Sequence, residues 1–172
     1  LMVTKEFNVE PCDWPETILW ESFEVWGQGI RNRPVIVSKR QPELWIDSFF
    51  DVRVYSGDET QFVLTYGNDG GYENAFAILN TFPPEATFLG SDPAPDVGGP
   101  GAPLVEWLFP GGLSEGETGR ITVTVDIAAG LPPSSTVEIW DGIFDHLDVL
   151  QDETVINYHV PPPTWDKWVN GQ

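Results

Sequence analysis

Between residues 120 and 127 the chain reads RITVTVDI, apolar at Ile121, Val123, Val125 and Ile127 and polar at Thr122, Thr124 and Asp126. Successive side chains of a strand point to opposite faces, so a period of two marks a strand with one buried and one wet face. The same period recurs in QFVLTYG (61–67), STVEIW (135–140) and ETVINYHV (153–160). Shorter apolar runs predict further strands at 44–49, 52–55, 75–80, 87–89 and 104–109. Between them lie SGDE, GNDGG, FPPE, DPAPDVGGPGAP, PGGLSEGE and GLPPSS, which supply the 17 Gly and 16 Pro where turns need them. No stretch carries a helical period with caps. Short strands at this spacing describe an all-β antiparallel sandwich.

A second regularity divides the chain. VIVSKRQPELW (35–45) and VINYHVPPPTW (155–165) are 120 positions apart, and the same shift lays Trp20 on Trp140 and Glu21 on Asp141. Seven of the 52 overlapping pairs are identical, against roughly three expected from composition. Self-similarity at a fixed period is the mark of a tandem array. On this reading residues 1–41 are the terminal strands of a preceding repeat, 42–160 are a complete unit, and 161–172 are the first strand of a following repeat or a linker. The opening Leu1-Met2 runs straight into strand-like sequence, which reads as a piece cut from a longer chain.

PELWIDS, YSGDETQFVLTYGNDG, AFAILNTFPPEATFLGS, VEWLFPGGLSEGETGRITVTVDI and ETVINYHV follow one another in the order seen in a known family. Together they resemble the conserved-repeat domain of prokaryotic surface proteins, domain of unknown function eleven, over about residues 42–160. Asn68-Asp69-Gly70, Phe82-Pro83, Thr87-Phe88, Trp107 and Gly116-Glu117 stand at that family's motif positions. The resemblance implies an immunoglobulin-like sandwich used in tandem within secreted or wall-attached proteins, and it brings no catalytic residues. The abundance of Trp early in this chain departs from the family pattern.

Eight basic against 27 acidic residues give a formal charge of −19. That excess argues against nucleic acid or anionic lipid as partner, because both reward positive patches. The charge is uneven: residues 1–41 hold five basic and six acidic side chains, residues 42–172 three and twenty-one. A single cysteine, Cys12, excludes an intrachain disulfide and a cysteine-based metal site. No apolar run is long enough to span a membrane as a helix.

Little in the sequence suggests catalysis. His146 and His159 have no serine or cysteine in a nucleophile context nearby, and no pair of carboxylates stands out, so the chain reads as a non-enzyme. No lysine lies between Arg40 and Asp166, which excludes a lysine–asparagine isopeptide bond within the complete unit. No cofactor is expected other than Ca²⁺, for which Asp141, Asp145, Asp148, Asp152 and Glu153 in DGIFDHLDVLQDE form an oxygen-rich candidate set; a solvated acidic loop is the plainer reading. Trp20, Trp107 and Trp140 fall in alternating strands and read as core. Trp14, Trp26, Trp45, Trp165 and Trp168 lie near turns or repeat boundaries and read as interface residues between units, with carbohydrate stacking as the rival. Arg31 and Arg33, in the segment equivalent to the acidic one, read as contacts to an acidic neighbouring repeat. The expected role is a structural module of a cell-surface or extracellular repeat protein. Its expected partners are copies of itself or adjacent repeats; the alternative is a module that binds carbohydrate or a surface protein.

Overall fold

The computed structural model describes residues 16–25, 29–38, 41–49 and 55–160, the first two stretches as backbone alone. The chain divides into two compact units, Leu1–Gln41 and Pro42–Gln172. The first contains the antiparallel pair β1 (Glu16–Val25) and β2 (Gly29–Ser38). The second contains β3 (Leu44–Phe49), β4 (Glu59–Asn68), β5 (Phe76–Thr81), β6 (Ala86–Asp92), β7 (Leu104–Phe109), β8 (Thr118–Ile127), β9 (Thr136–Asp145) and β10 (Leu150–His159).

These eight strands form two four-stranded antiparallel sheets. Sheet I has the order β3-β4-β8-β6 and sheet II the order β10-β9-β5-β7. The chain changes sheet at every connection except β3–β4 and β9–β10. Strands β4 and β8 are the inner pair of one sheet, and β5 and β9 the inner pair of the other. That is the arrangement of an immunoglobulin-like sandwich.

Alternation places the core. On sheet I, Phe62, Leu64, Ile121, Val123 and Val125 are buried while Gln61, Thr122 and Thr124 point outward. On sheet II, Ile78, Val105, Trp107, Ile139, Ile143 and Ile156 meet them from the other side. Trp107 is 1% exposed, and its Nε1 donates to the Pro93 carbonyl at 3.0 Å, so the largest core side chain also satisfies its only donor. Tyr66, Phe76 and Phe109 close one end, with the two Phe rings stacked at 4.4 Å.

One strand reading needs correction, and one expected strand falls mostly outside the described residues. Residues 52–54 of the expected strand at 52–55 lie outside the described residues, and Tyr55 belongs to a turn in which its carbonyl accepts the Asp58 N–H. The stretch 141–153 is not a loop: β9 continues to Asp145 and β10 begins at Leu150, leaving a turn of only four residues. Trp140 is likewise not core. It sits on the outer face of β9, half-buried, and its indole lies over Gly142, where an added Cβ would come within 2.4 Å of the ring. Its Nε1 donates to Glu153 Oε2 at 2.8 Å. Alternation identifies a large aromatic as strand-borne without saying which face it takes, and Asp141, not Trp140, occupies the inward position. Trp20 has no described side chain.

The first unit can be compared with the second strand by strand. Shifted by 120, β1 covers the span of β9, and β2 falls within one residue of β10. The pair Glu24↔Ile30 lands on Phe144↔Leu150. Beyond it the two registers differ by one residue, the step introduced by the irregularity between Leu150 and Asp152. In the larger unit β9 has neighbours on both sides, β10 and β5; among the described residues β1 has only β2.

The two tryptophans should separate clearly in denaturant unfolding. Trp107→Ala is expected to lose about 3–5 kcal/mol, as for other large core truncations, and Trp140→Ala, on a half-wet face, about 1–2 kcal/mol. Equal losses would contradict the inside–outside assignment.

Candidate functional site

Three places hold polar groups that packing alone does not explain. The first lies inside the sandwich. Asn80 on β5 and Asp141 on β9 are directly opposite each other and both fully buried. Asn80 Nδ2 donates to Asp141 Oδ1, while Asn80 Oδ1 and Asp141 Oδ2 have no hydrogen-bond partner. Burial holds the Asp141 carboxyl well above its usual range, with the Asn80 hydrogen bond pulling the other way. Burial also raises the nearby Tyr158 phenol, and the Asp141 charge adds to that shift. Facing inward on the next strand, Thr154 pairs with Asp141 in register, and its hydroxyl meets that of Ser48 on β3 at 3.2 Å.

The second place is one pole of the sandwich. Asn68, at the end of β4, uses its whole side-chain amide: Oδ1 accepts the Glu43 and Gly70 N–H groups, each at 3.0 Å. Its Nδ2 donates to the Gly71 and Leu113 carbonyls at 2.6 and 2.9 Å. One buried side chain thereby ties the entry to β3, the β4–β5 loop and the β7–β8 loop. Glu73, 2% exposed, has its Oε1 2.6 Å from His146 Nδ1, and its backbone bridges Leu113. Gly112 stands beside this bridge at φ 70°, and a Cβ there would fall 1.9 Å from the Glu73 carbonyl oxygen, so only glycine fits. The β9–β10 turn is held by Asp145, whose Oδ1 accepts the Leu147 and Val149 N–H groups and whose Oδ2 accepts Gln151 Nε2.

The third place is the sheet edges. Along one side β3 lies beside β10 in the same sense, joined through side chains: Asp152 Oδ2 accepts the Ile46 N–H at 2.9 Å, and Ser48 meets Thr154. On the other side the edge of β7 is covered by residues 96–97, where Val97 bridges Glu106 and Asp96 Oδ2 accepts the Leu108 N–H at 2.8 Å. Sheet edges are thus closed by loops and carboxylates, a known protection against unwanted pairing.

The five carboxyl groups singled out for Ca²⁺ are not brought together. Asp141 points into the core, Asp145 holds the turn, Asp148 is exposed within that turn, Asp152 holds β3, and Glu153 accepts from Trp140 on the outer face. Among the described residues no three His, Cys, Asp or Glu side chains are grouped so as to hold a metal ion. Trp45 is half-buried over Gly67, where an added Cβ would lie 2.4 Å from its ring. Trp14, Trp26, Trp165 and Trp168 lie outside the described residues, and the side chains of Arg31 and Arg33 do as well. His159 meets the Thr136 hydroxyl at 3.2 Å on the surface. An open groove on the outer face of sheet I is lined by Phe49, Val63, Thr65 and Arg120. Sequence reasoning missed Glu73 and the Asn80–Asp141 pair; the signal available for the second was a polar residue at an inward position of each of two strands. Among the described residues no helix is long and apolar enough to cross a membrane.

No family model matches the chain, and no curated protein does either. Among solved structures, AvmM, which catalyses macrocyclization in alchivemycin A biosynthesis, is 14% identical with a TM-score of 0.46, covering 71% of this chain and 90% of that one. BcpA, the major pilin subunit of Bacillus cereus, is 11% identical with a TM-score of 0.46. That match covers 84% of this chain but only 48% of the pilin, so this chain spans about half of it. Likenesses this distant say nothing about what the chain does.

Two outcomes follow from the buried groups. A carboxyl whose folded pKa is raised binds its proton more tightly when folded, so its contribution is present below the ordinary value of 3.8 and lost as pH climbs through the raised one. Asp141→Asn should therefore gain on the wild type as pH rises from acid to neutral in parallel urea titrations; a pH-independent difference would contradict the burial of an uncompensated acid. Asn68→Ala, which strands the Glu43 and Gly70 N–H groups and the Gly71 carbonyl while Leu113 keeps the Glu73 N–H, should cost about 3 kcal/mol or more by the same measurement.

Proposed function

We propose that the chain is a structural module of a prokaryotic cell-surface or extracellular tandem-repeat protein, joined into a filament or stalk by strand addition between units. The observation that carries this is the backbone correspondence between β1–β2 and β9–β10 at a shift of 120. In the complete sandwich the β9 edge is filled by Phe76–Thr81. An equivalent strand is what β1 requires, because a two-stranded ribbon is marginal in water and its free edge leaves N–H and C=O groups to be paired. That strand comes from an earlier part of the parent chain or from another subunit, which is recognition by β-augmentation. Residues 1–41 are accordingly the closing strands of a preceding repeat. The resemblance to the conserved-repeat surface domain supports a place outside the cell and a non-enzymatic role, and the charge of −19 argues against nucleic acid or anionic lipid as the partner.

A second reading, a surface module that binds a carbohydrate, is favoured by Phe49, 66% exposed beside Arg120 in the groove on sheet I. An aromatic face next to a guanidinium suits a sugar ring with an acidic substituent.

Negative-stain imaging with size-exclusion chromatography distinguishes the two. Fibres or large oligomers are expected from the 172-residue chain, and their loss is expected when residues 1–41 are removed. A monomer at every concentration that binds acidic glycans would replace assembly with recognition.

A further inference from the structure

The outer faces of the two sheets differ in chemistry. Over β4 and β8 sheet I turns Gln61, Thr65, Arg120, Thr122, Thr124 and Asp126 outward with Val63 among them, while the exposed Phe49 and Leu89 lie on its edge strands β3 and β6. The outer face of sheet II is more continuously apolar, with its charged residues to the sides. One row across its outer face reads Leu108, Ala77, Phe144 and Leu150 in register. Four residues along, another row reads Leu104, Thr81, Trp140 and Val155. The row between has Leu79 and Gly142 at its centre, with the Trp140 indole laid over the glycine and Glu106 and Glu153 at the two ends. Leu104, Leu108, Leu150 and Val155 are 39, 48, 42 and 46% exposed. The pattern is visible in the strands themselves: FAIL in β5, LVEWLF in β7 and VEIW in β9 are apolar on both faces, as in sheets covered on both sides.

We infer that a second copy of this chain covers that face, the outer surface of sheet II packing on its counterpart across a two-fold axis. Four strands about 4.8 Å apart and some six to eight residues long give roughly 500 Å² per copy, and doubled this reaches the ~1,000 Å² that a specific interface requires. Two sheets pack face to face with strands nearly aligned, so the contact adds one further layer of the kind already inside the sandwich. The charges fall where an interface tolerates them: apolar residues occupy the centre, and Glu106 and Glu153 stand at the rim. Leu147 and Val149, 69 and 51% exposed, add apolar surface in the adjoining β9–β10 turn, whose N–H groups Asp145 accepts. The pairing goes beyond the proposed end-to-end assembly and does not depend on it, because a two-fold contact closes on itself and cannot alone propagate a fibre.

Like-charged rims oppose the contact, so it should tighten with salt. Sedimentation equilibrium of the full chain is expected to show a species of twice the monomer mass, more of it at ~0.5 M than at ~0.05 M NaCl, where exposed carboxylates are less screened. Leu108→Glu and Val155→Glu, on the two edge strands, should each weaken association roughly tenfold, because each adds a charge beside like-charged carboxylates in the contact, and Thr124→Glu on sheet I should leave it unchanged. Thermal melts check that the variants fold; if Leu108→Glu does not, Val155→Glu on the edge strand carries the test. A chain still monomeric at ~0.5 mM in both salts would assign the face to a different partner and overturn the inference. Association lost on removing residues 1–41 but untouched by both sheet II variants would also overturn it, while sparing the end-to-end reading. A dimer that persists without residues 1–41 and yields to the sheet II variants supports it even where no fibre forms.

Discussion

The sandwich depends on burial of alternate residues between two sheets. Ile121, Val123 and Val125 from β8 and Phe62 and Leu64 from β4 have no hydrophobic stability unless Ile78, Trp107, Ile139 and Ile143 arrive from the facing sheet. Because every second residue is committed inward, strand register is fixed, and a one-residue slip would turn the threonines of β8 into the core. The chain changes sheet at five successive connections, from β4–β5 through β8–β9, so neither sheet can form without the other. Loops rich in proline and glycine are the consequence, since each must cross the thickness of the molecule.

The same constraint explains the polar interior. Asn68 serves three segments at the pole where chain entry and two crossings converge, and no apolar residue could satisfy four backbone groups there. The Asn80–Asp141 pair does not have that excuse: it leaves two buried oxygens without partners and holds a carboxyl whose pKa burial raises. It holds a stability cost in the centre of sheet II that varies with pH. The outer face of the same sheet carries apolar residues where water is the default neighbour. Sheet II is thus the atypical half of the sandwich on both of its surfaces.

Much of the fold was legible because a period of two is a strong signal when strands are clean. The strands 44–49 and 104–109 match β3 and β7 at both ends, and β8 was visible from ITVTV alone. What was not legible arose where alternation and residue type disagree. In VEIWDGIF the inward position falls to Asp141 and the outward one to Trp140, so reading the aromatic as core and the acid as loop reversed both. The acidic set at 141–153 looked like a cluster because strand and turn residues are close in sequence, whereas alternation sends their side chains to different faces. The His146–Glu73 pair joins residues 73 positions apart, and nothing local in either segment announces the other. The 120-residue period was read from side-chain identities; the same shift overlays the two hairpins to within one residue, with registers that differ by one beyond Glu24↔Ile30.

These strands make one proposal coherent: a complete sandwich accompanied by a ribbon in which, among the described residues, β1 has only β2 beside it. Amide hydrogen exchange of the whole chain, followed by NMR across a dilution series, tests directly whether that ribbon needs a further strand. The account expects the amides of β4, β5, β8 and β9 to be protected at every concentration, and those of β1 and β2 to gain protection only as chains associate. Full protection of β1 and β2 in the dilute monomer would show a ribbon that is stable without added strands, and would contradict it.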